Sequence, residues 1–213
     1  MSILPFEEGS ARAVLLPLEG RTVIDWTLNA LRAVPEVAEV VVVLSHVTPS
    51  SVGDTLVARP EEIPRSFITA RSWLEAVESA LESATPSKRV LLQPANRPLV
   101  PAVCLRTVME AGKVRPVTVA AVPVKNTYKR AVDGRVAETV LRQHLFLLQG
   151  PWLFDRATLN DAVGQARHFQ WSITDELSLC RRVQLPIHLV EGDHGNVPIT
   201  SEADLWLMER LWH

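Results

Sequence analysis

Residues 40–44 read Val40-Val41-Val42-Val43-Leu44, a continuous run of β-branched and aliphatic residues. Such a run is typical of a strand buried on both faces, as in a parallel sheet covered by helices. Two other runs have the same character, Val90-Leu91-Leu92 and Val117-Thr118-Val119-Ala120-Ala121-Val122. The sequence therefore predicts several fully buried strands.

Segments with helical spacing lie between these runs. The predicted helices cover 22–33, 72–82 and 101–111, where apolar residues recur three and four positions apart. Pro101 suits the first turn of its helix. This alternation of strands and helices predicts an α/β fold with an open, doubly wound, mostly parallel sheet flanked by helices.

The last third of the chain continues this pattern. It predicts a helix around 156–166, a helix that starts with Thr174 as N-cap, a short strand over 187–190 and a helix over 202–212 capped by Ser201. Trp26, Trp73 and Trp206 fall on apolar stripes and are predicted to be core residues. Because no stretch resembles a flexible linker, we expect one domain over residues 1–213.

Residues 127–141 differ from the rest. Asp133-Gly134 is a strong two-residue turn between alternating segments, so a β-hairpin is predicted. We expect it to project from the sheet as a β-arm over about residues 125–142. From the pattern alone, the arm either pairs with a second subunit or is a surface hairpin without a partner.

Composition limits the classes of partner. The chain has 213 residues, 47% of them hydrophobic, and a formal charge of −2. Nucleic acid is excluded as the main partner because phosphate binding needs clustered cations. The N-terminal stretch lacks the features of a signal peptide, and no apolar run is long enough to span a bilayer. Cys104 and Cys180 are predicted to be small buried hydrophobes in a reducing, cytoplasmic protein without a membrane partner.

Six short motifs follow one another along the chain. They are Leu18-Glu19-Gly20-Arg21, Ala95-Asn96-Arg97-Pro98, Asn126-Thr127-Tyr128-Lys129-Arg130, Gln149-Gly150-Pro151-Trp152-Leu153-Phe154, Ile173-Thr174-Asp175-Glu176-Leu177-Ser178 and the stretch 190–200. Their order and spacing resemble those of the 2-C-methyl-D-erythritol 4-phosphate cytidylyltransferase family. The resemblance implies a Rossmann-like nucleotide-diphospho-sugar transferase fold and a homodimer formed through the β-arm. It also implies a reaction in which CTP and methylerythritol phosphate give CDP-methylerythritol and pyrophosphate, in the synthesis of isoprenoid precursors.

The resemblance also implies roles for individual residues. A degenerate nucleotide-binding loop would contain Pro5, Phe6, Gly9, Ser10 and Arg12, with Ala95 beside it. The sugar phosphate would be bound by Arg97, Thr127, Arg142 and Asp175, and Arg12 and Arg97 would be catalytic. Two arginines and a hydroxyl suit a phosphate ester, although the arginines are equally suited to structural ion pairs at the arm.

The loop departs from the family pattern. It keeps one glycine, and Phe6 and Glu7 stand where the family has small residues, with Glu8 beside them. A bulky ring blocks close approach of backbone to phosphate. A carboxylate ~4 Å from a phosphate costs on the order of 4 kcal/mol at an effective dielectric near 20, unless Glu7 and Glu8 point to solvent.

The cations and the metal ligand depart as well. Pro198 stands where the family has a lysine, and Arg12 can replace only one of two further cations. Pro94 stands at the family's metal-binding aspartate, and a proline cannot bind Mg²⁺, which demands oxygen ligands. No metal ligand is therefore assigned, and Mg²⁺ is expected only if the protein is active. Asp175, Glu176 and Asp193 form either an acidic cluster or a capped helix start plus a loop carboxylate.

Three functional hypotheses follow. The leading one is a cytidylyltransferase homologue with weak or lost activity, because the loop, the lysines and the metal aspartate are altered together. The second is a non-catalytic module that binds a phosphorylated metabolite or pairs with an active paralogue. The third is a nucleotidyltransferase with a changed nucleotide or acceptor.

Overall fold

The computed structural model describes residues 2–3, 13–44 and 65–211. The predicted loop residues Pro5, Phe6, Gly9, Ser10 and Arg12 lie outside this part of the chain, as do Glu7 and Glu8. In chain order, the elements are β1 (Ser2–Ile3), β2 (Pro17–Leu18), β3 (Arg21–Thr22), α1 (Val23–Arg32), β4 (Val40–Leu44), β5 (Arg65–Thr69), α2 (Trp73–Ser83), β6 (Arg89–Pro94), α3 (Ala102–Ala111), β7 (Val117–Pro123), β8 (Tyr128–Val132), β9 (Arg135–Val140), β10 (Phe146–Asp155), α4 (Arg156–His168), α5 (Glu176–Arg182), β11 (His188–Glu191) and α6 (Glu202–Leu211).

The main sheet has seven described strands in the order β11-β7-β10-β6-β1-β4-β5. Strand β10 is antiparallel to both its neighbours, and the other pairings are parallel. The predicted mostly parallel sheet is confirmed, with β10 as a reversed strand. Because β10 is antiparallel to both β6 and β7, these two strands run parallel to each other. The carboxyl ends of β1, β6, β7 and β11 therefore all lie at one edge of the sheet.

Helices cover both faces of the sheet. In β4, Val41 and Val43 join a buried cluster with Trp73 of α2, while Val40 and Val42 join a second cluster with Ile24 of α1. Since successive side chains of a strand point to opposite faces, a strand between two helical layers must be apolar throughout. The valine run is therefore continuous because β4 is buried on both faces, as the sequence predicts.

The hairpin forms a separate two-stranded sheet of β8 and β9. Asp133 and Gly134 both have positive φ, 49° and 74°, as a tight hairpin turn of this type requires. The side chains of both strands are exposed except for the half-buried Val140. The predicted hairpin is confirmed, and it stands clear of the main sheet.

Two local predictions are wrong. Asp175, not Thr174, caps α5: its carboxylate accepts the Ser178 N–H, and Ser178 in turn accepts the Asp175 N–H. Trp206 is 59% exposed rather than buried. It lies two residues from the buried Met208, which places it about 200° around the helix, away from the core.

The other core predictions hold. Trp73 is buried, and Trp26 is half-buried with its indole N–H donating to the Leu18 carbonyl at 2.8 Å. Cys104 and Cys180 are free and buried. No helix in the described part of the chain is long and apolar enough to cross a bilayer.

Candidate substrate site

The candidate site lies at the sheet edge where the parallel strands end. Strand β6 ends at Pro94 and leads into Ala95, Asn96 and Arg97, all three buried. The Ala95 carbonyl accepts the Thr27 hydroxyl at 2.8 Å, which fixes this turn against α1. Open α/β sheets bind ligands outside the carboxyl ends of their strands, so this edge is where a ligand is expected.

Strand β1 brings the start of the N-terminal loop to the same place. Ile3 is in register with Pro94 of β6 on one side and with Val43 of β4 on the other. The chain therefore leaves the sheet beside Pro94.

A buried glutamine holds the loop after β11. The Gln149 side chain donates from Nε2 to the Asp193 carbonyl at 2.7 Å and accepts the Asp193 N–H on Oε1 at 3.1 Å. Gly192 fits beneath it, because a Cβ there would lie 2.3 Å from Gln149 Oε1. The loop of residues 192–196 is therefore bound to β10 through one side chain.

Asn196 and Arg97 complete this frame. Asn196 is fully buried and donates from Nδ2 to the Gly150 carbonyl at 3.1 Å. The Arg97 guanidinium donates to the Asn196 carbonyl. Among the described carboxylates, none forms an ion pair with Arg97. Within the described residues, the arginine is therefore held by a backbone carbonyl and not by an ion pair.

Burial controls the protonation of this frame. Desolvation lowers the pKa of Arg97 to about 10, which leaves the guanidinium charged at neutral pH. Desolvation raises the pKa of Cys104 to about 11, with a further contribution from the charge of Asp193. The thiol beside Arg97 is therefore neutral, and Arg97 supplies a cation behind the 192–196 loop.

Gly150 supports Pro94 from the neighbouring strand. It has a positive φ of 79° at an irregularity in the pairing of β10, and a Cβ there would lie 2.8 Å from Pro94 Cδ. A glycine is needed both for the conformation and for the close approach. Pro94 is thus a packed part of the edge.

Two predicted residues, Thr127 and Arg142, lie at the root of the β-arm. Both are exposed. Arg142 follows β9 in a short 3₁₀ turn and donates from Nη1 to the Lys125 carbonyl at 2.8 Å. This contact ties the two ends of the arm together and leaves further guanidinium donors for a ligand.

Asp175 lies elsewhere in the hydrogen-bond network. Its Oδ1 accepts the Ser178 N–H at 2.7 Å, and its Oδ2 accepts the Thr174 hydroxyl at 2.9 Å. The described contacts join it to neither Arg97 nor Arg142. The contacts of this carboxylate therefore match its interpretation as a helix cap and not its interpretation as part of an acidic cluster.

The sequence does not reveal that Glu176 has a raised pKa. The pKa of its carboxyl group is raised to about 7, mainly by burial and also by the charge of Asp175, while hydrogen bonds from its own backbone N–H and from Trp73 oppose the shift. The sequence shows Glu176 only as one of several acidic residues. Burial of the carboxyl group, which only the fold provides, sets the direction of its pKa shift.

The described residues do not fit a magnesium site at this edge. Pro94 offers no side-chain ligand, and Asp193 Oδ1 accepts the Gly195 N–H at 2.7 Å. In residues 13–44 and 65–211, no three histidine, cysteine, aspartate or glutamate side chains lie close enough to hold a metal ion. Asp175, Glu176 and Asp193 therefore do not form the metal-binding cluster that was one alternative.

The sequence predicts no role for three residues of the frame. Gln149, Gly150 and Asn196 all lie inside the quoted motifs, yet only folding shows that they join β10 to the 192–196 loop. The signal available in the sequence is a polar Gln149 at the end of an apolar run. A buried amide of this kind needs partners.

The mixed sheet, the two helical layers and the projecting arm define a Rossmann-like α/β protein with a ligand edge at the carboxyl ends of its strands. The model of the 2-C-methyl-D-erythritol 4-phosphate cytidylyltransferase family matches residues 7–212. The chain belongs to this family.

Individual relatives agree. The cytidylyltransferase of Symbiobacterium thermophilum is 30% identical over 205 residues, which cover 95% of this chain and 86% of the relative. That of Prochlorococcus marinus is 31% identical over 203 residues, with 93% and 88% covered. The crystal structure of the Thermus thermophilus enzyme superposes with a TM-score of 0.79 at 28% identity, covering 99% of this chain and 97% of the other. The predicted family and fold are confirmed.

Proposed function

We propose that this protein binds a sugar phosphate at the carboxyl edge of its sheet and carries out the family's cytidylyl transfer weakly or not at all. In that reaction, a phosphate oxygen of methylerythritol phosphate attacks the α-phosphorus of CTP. The bond from that phosphorus to the bridging oxygen breaks, and pyrophosphate leaves. The protein's part is to position the two substrates and to neutralise the developing charge.

The observation that carries the proposal is the position of Pro94. It ends β6, pairs with Ile3 where the N-terminal loop begins, and packs against Gly150. The family resemblance puts a metal-binding aspartate here, so the substitution removes an oxygen ligand from the point where β1 and β6 end. The exposed Pro198 likewise replaces a cation on the 190–200 segment.

Arg97 and Arg142 support retained binding of a phosphate ester. Arg97 keeps its charge at neutral pH, and Arg142 is exposed at the arm root. Each guanidinium has five N–H donors. In both arginines, one donor binds a backbone carbonyl of the described residues. Thr127 adds an exposed hydroxyl to the same root.

We further infer a homodimer that forms through the β-arm. Val132 and Val136 are 56% and 68% exposed, although both lie within strands. Exposed apolar residues on a projecting hairpin favour burial against another chain. The free thiols of Cys104 and Cys180 support a cytoplasmic location.

Isothermal titration calorimetry distinguishes the hypotheses. The impaired-enzyme proposal predicts binding of methylerythritol phosphate and weak binding of CTP with Mg²⁺. Sugar-phosphate binding with no CTP binding at all favours the non-catalytic module. Tight binding of a different nucleoside triphosphate with Mg²⁺ favours changed specificity, and absence of sugar-phosphate binding contradicts the proposal.

A further inference from the structure

We propose that the protein has a second ligand site, at the opposite edge of the sheet, for an amphiphile with an aliphatic tail and a carboxylate head. This edge holds the amino end of β6 and the carboxyl end of β10. It lies roughly 17 Å from Pro94, given about 3.3 Å per residue along β6. The site is therefore separate from the candidate substrate site.

The tail would occupy a partly open cavity of about 360 Å³ at the amino ends of β4 and β6, lined by residues from both helical layers. Its walls are mainly aliphatic, formed by Leu31, Val41, Leu81, Met109 and Leu153 among others. This volume lies in the range of roughly 300–1,000 Å³ typical of small-molecule sites. An aliphatic ligand gains free energy there because it removes apolar surface from water.

Two charged groups at the cavity wall, Arg156 and Glu39, are already bound to the protein. Arg156 donates to the carbonyls of Leu81 and Thr85 at the end of α2, at 2.6 and 2.9 Å. Glu39 accepts the Thr85 N–H at 2.8 Å. These groups shape the wall without needing a ligand, so the space between them suits an apolar occupant.

The cavity continues into an open groove that would hold the head. The groove has a volume of about 890 Å³ and shares Glu36, Ser87, Arg89, Met109 and Leu153 with the cavity. One ligand can therefore lie in both, with its tail past Met109 and its head in the groove.

Positive charge dominates the groove. Its lining includes the cations Lys88, Arg89, Arg106 and Lys113 and the carboxylates Glu36 and Glu110. Arg89 pairs with Asp155 at 2.5 Å, and Lys113 pairs with Glu110. Lys88 and Arg106 have no ion-pair partner among the described carboxylates. A carboxylate head complements them, and a guanidinium binds it through two parallel hydrogen bonds.

Methionine NMR tests the site directly, with decanoate as the probe at concentrations below those that form micelles. The chain has three methionines, and Met109 lies at the junction of cavity and groove while Met208 lies in the core. Decanoate should shift the Met109 methyl signal saturably and leave the Met208 signal in place. Decyltrimethylammonium, with the same tail and the opposite charge, should bind at least about threefold more weakly. Acetate should not shift Met109.

Surface variants locate the two halves of the ligand. Arg106→Glu should raise the dissociation constant of decanoate at least about threefold, and Arg115→Glu, an exposed charge outside the groove, should leave it unchanged. Ala38→Trp, at the exposed mouth of the cavity, should abolish the shift. The proposal is overturned if decanoate leaves Met109 unmoved, if the cationic probe binds as well, or if neither Arg106→Glu nor Ala38→Trp weakens binding.

Discussion

The Gln149 side chain forms two hydrogen bonds with the backbone of Asp193: its Nε2 donates to the Asp193 carbonyl at 2.7 Å, and its Oε1 accepts the Asp193 N–H at 3.1 Å. One side chain thus binds both backbone polar groups of a residue 44 positions away. The position of the loop after β11, and of Arg97 behind it, follows from this pair.

Gln149→Leu should therefore destabilise the protein by about 1–3 kcal/mol, because two partly buried backbone groups of Asp193 lose their partner. Urea unfolding measures the change in free energy. Gln143→Leu is the control: Gln143 is exposed, and within the described residues its side chain hydrogen-bonds to its neighbour His144 alone, at 3.4 Å, so its change should stay within about 0.5 kcal/mol. Equal stability of the two variants would contradict the role given to Gln149.

Gly192 tests the same contact from the other side. Its substitution by alanine places a Cβ 2.3 Å from Gln149 Oε1 and 3.2 Å from the Ala121 backbone, so Gln149 must release Asp193. We expect Gly192→Ala to cost about 1–3 kcal/mol in thermal or urea unfolding. Gly164→Ala, in open space within α4, should instead stabilise the protein by about 0.5–1 kcal/mol. A neutral Gly192→Ala variant would show that the loop has room to move.

Glu176 predicts a pH dependence of stability. Burial raises its pKa from 4.5 to about 7, so the folded state holds the proton more tightly than the unfolded state. The stability that this group contributes is complete below about pH 4.5 and is lost as pH rises to about 7, a loss of up to about 3 kcal/mol.

Glu176→Gln keeps the shape and removes the titration. Urea unfolding at about pH 5 and about pH 8 should show the variant close to the wild type at the lower pH and more stable at the higher pH. Other titrating groups cancel in this difference. A difference between the two proteins that does not change with pH would mean that Glu176 titrates normally.

We expect a charged substitution in the β-arm to change the oligomeric state of the protein. Val136 is 68% exposed on β9, and burial against a partner arm would be broken by a charge there. Sedimentation should show a dimer for the wild type and a shift toward monomer for Val136→Glu. Val114→Glu, at a position 86% exposed outside the arm, should remain dimeric. A monomeric wild type would contradict the dimer, and a dimeric Val136→Glu variant would place the interface elsewhere.

Much of the fold is predictable because its signals are local. The valine run of β4 and the Asp133-Gly134 turn specify a buried strand and a hairpin by composition alone. Strand β10 is not predicted, because Gln149-Gly150-Pro151 interrupts it and resembles a loop. The reversal of direction there, with Gly150 packed against Pro94, depends on contacts between distant segments.

The sequence names candidate site residues but not their contacts. Arg97 follows β6, Arg142 lies at the arm root, and Asp175 is engaged as a helix cap, while the substrate-binding roles of these residues stay predictions. The pKa of Glu176 and the frame of Gln149 and Asn196 depend on burial, which no single segment encodes. The loop over residues 5–12 stays a prediction, because it lies outside the described residues.

The central claim is that the altered edge at Pro94 and Pro198 weakens cytidylyl transfer. Release of pyrophosphate from CTP and methylerythritol phosphate with Mg²⁺ measures it, with the Symbiobacterium thermophilum relative as reference. We predict that this protein is at least about a hundredfold slower, and that the Pro198→Lys variant recovers part of the rate by restoring a cation. A wild-type rate equal to that of the reference would contradict the claim.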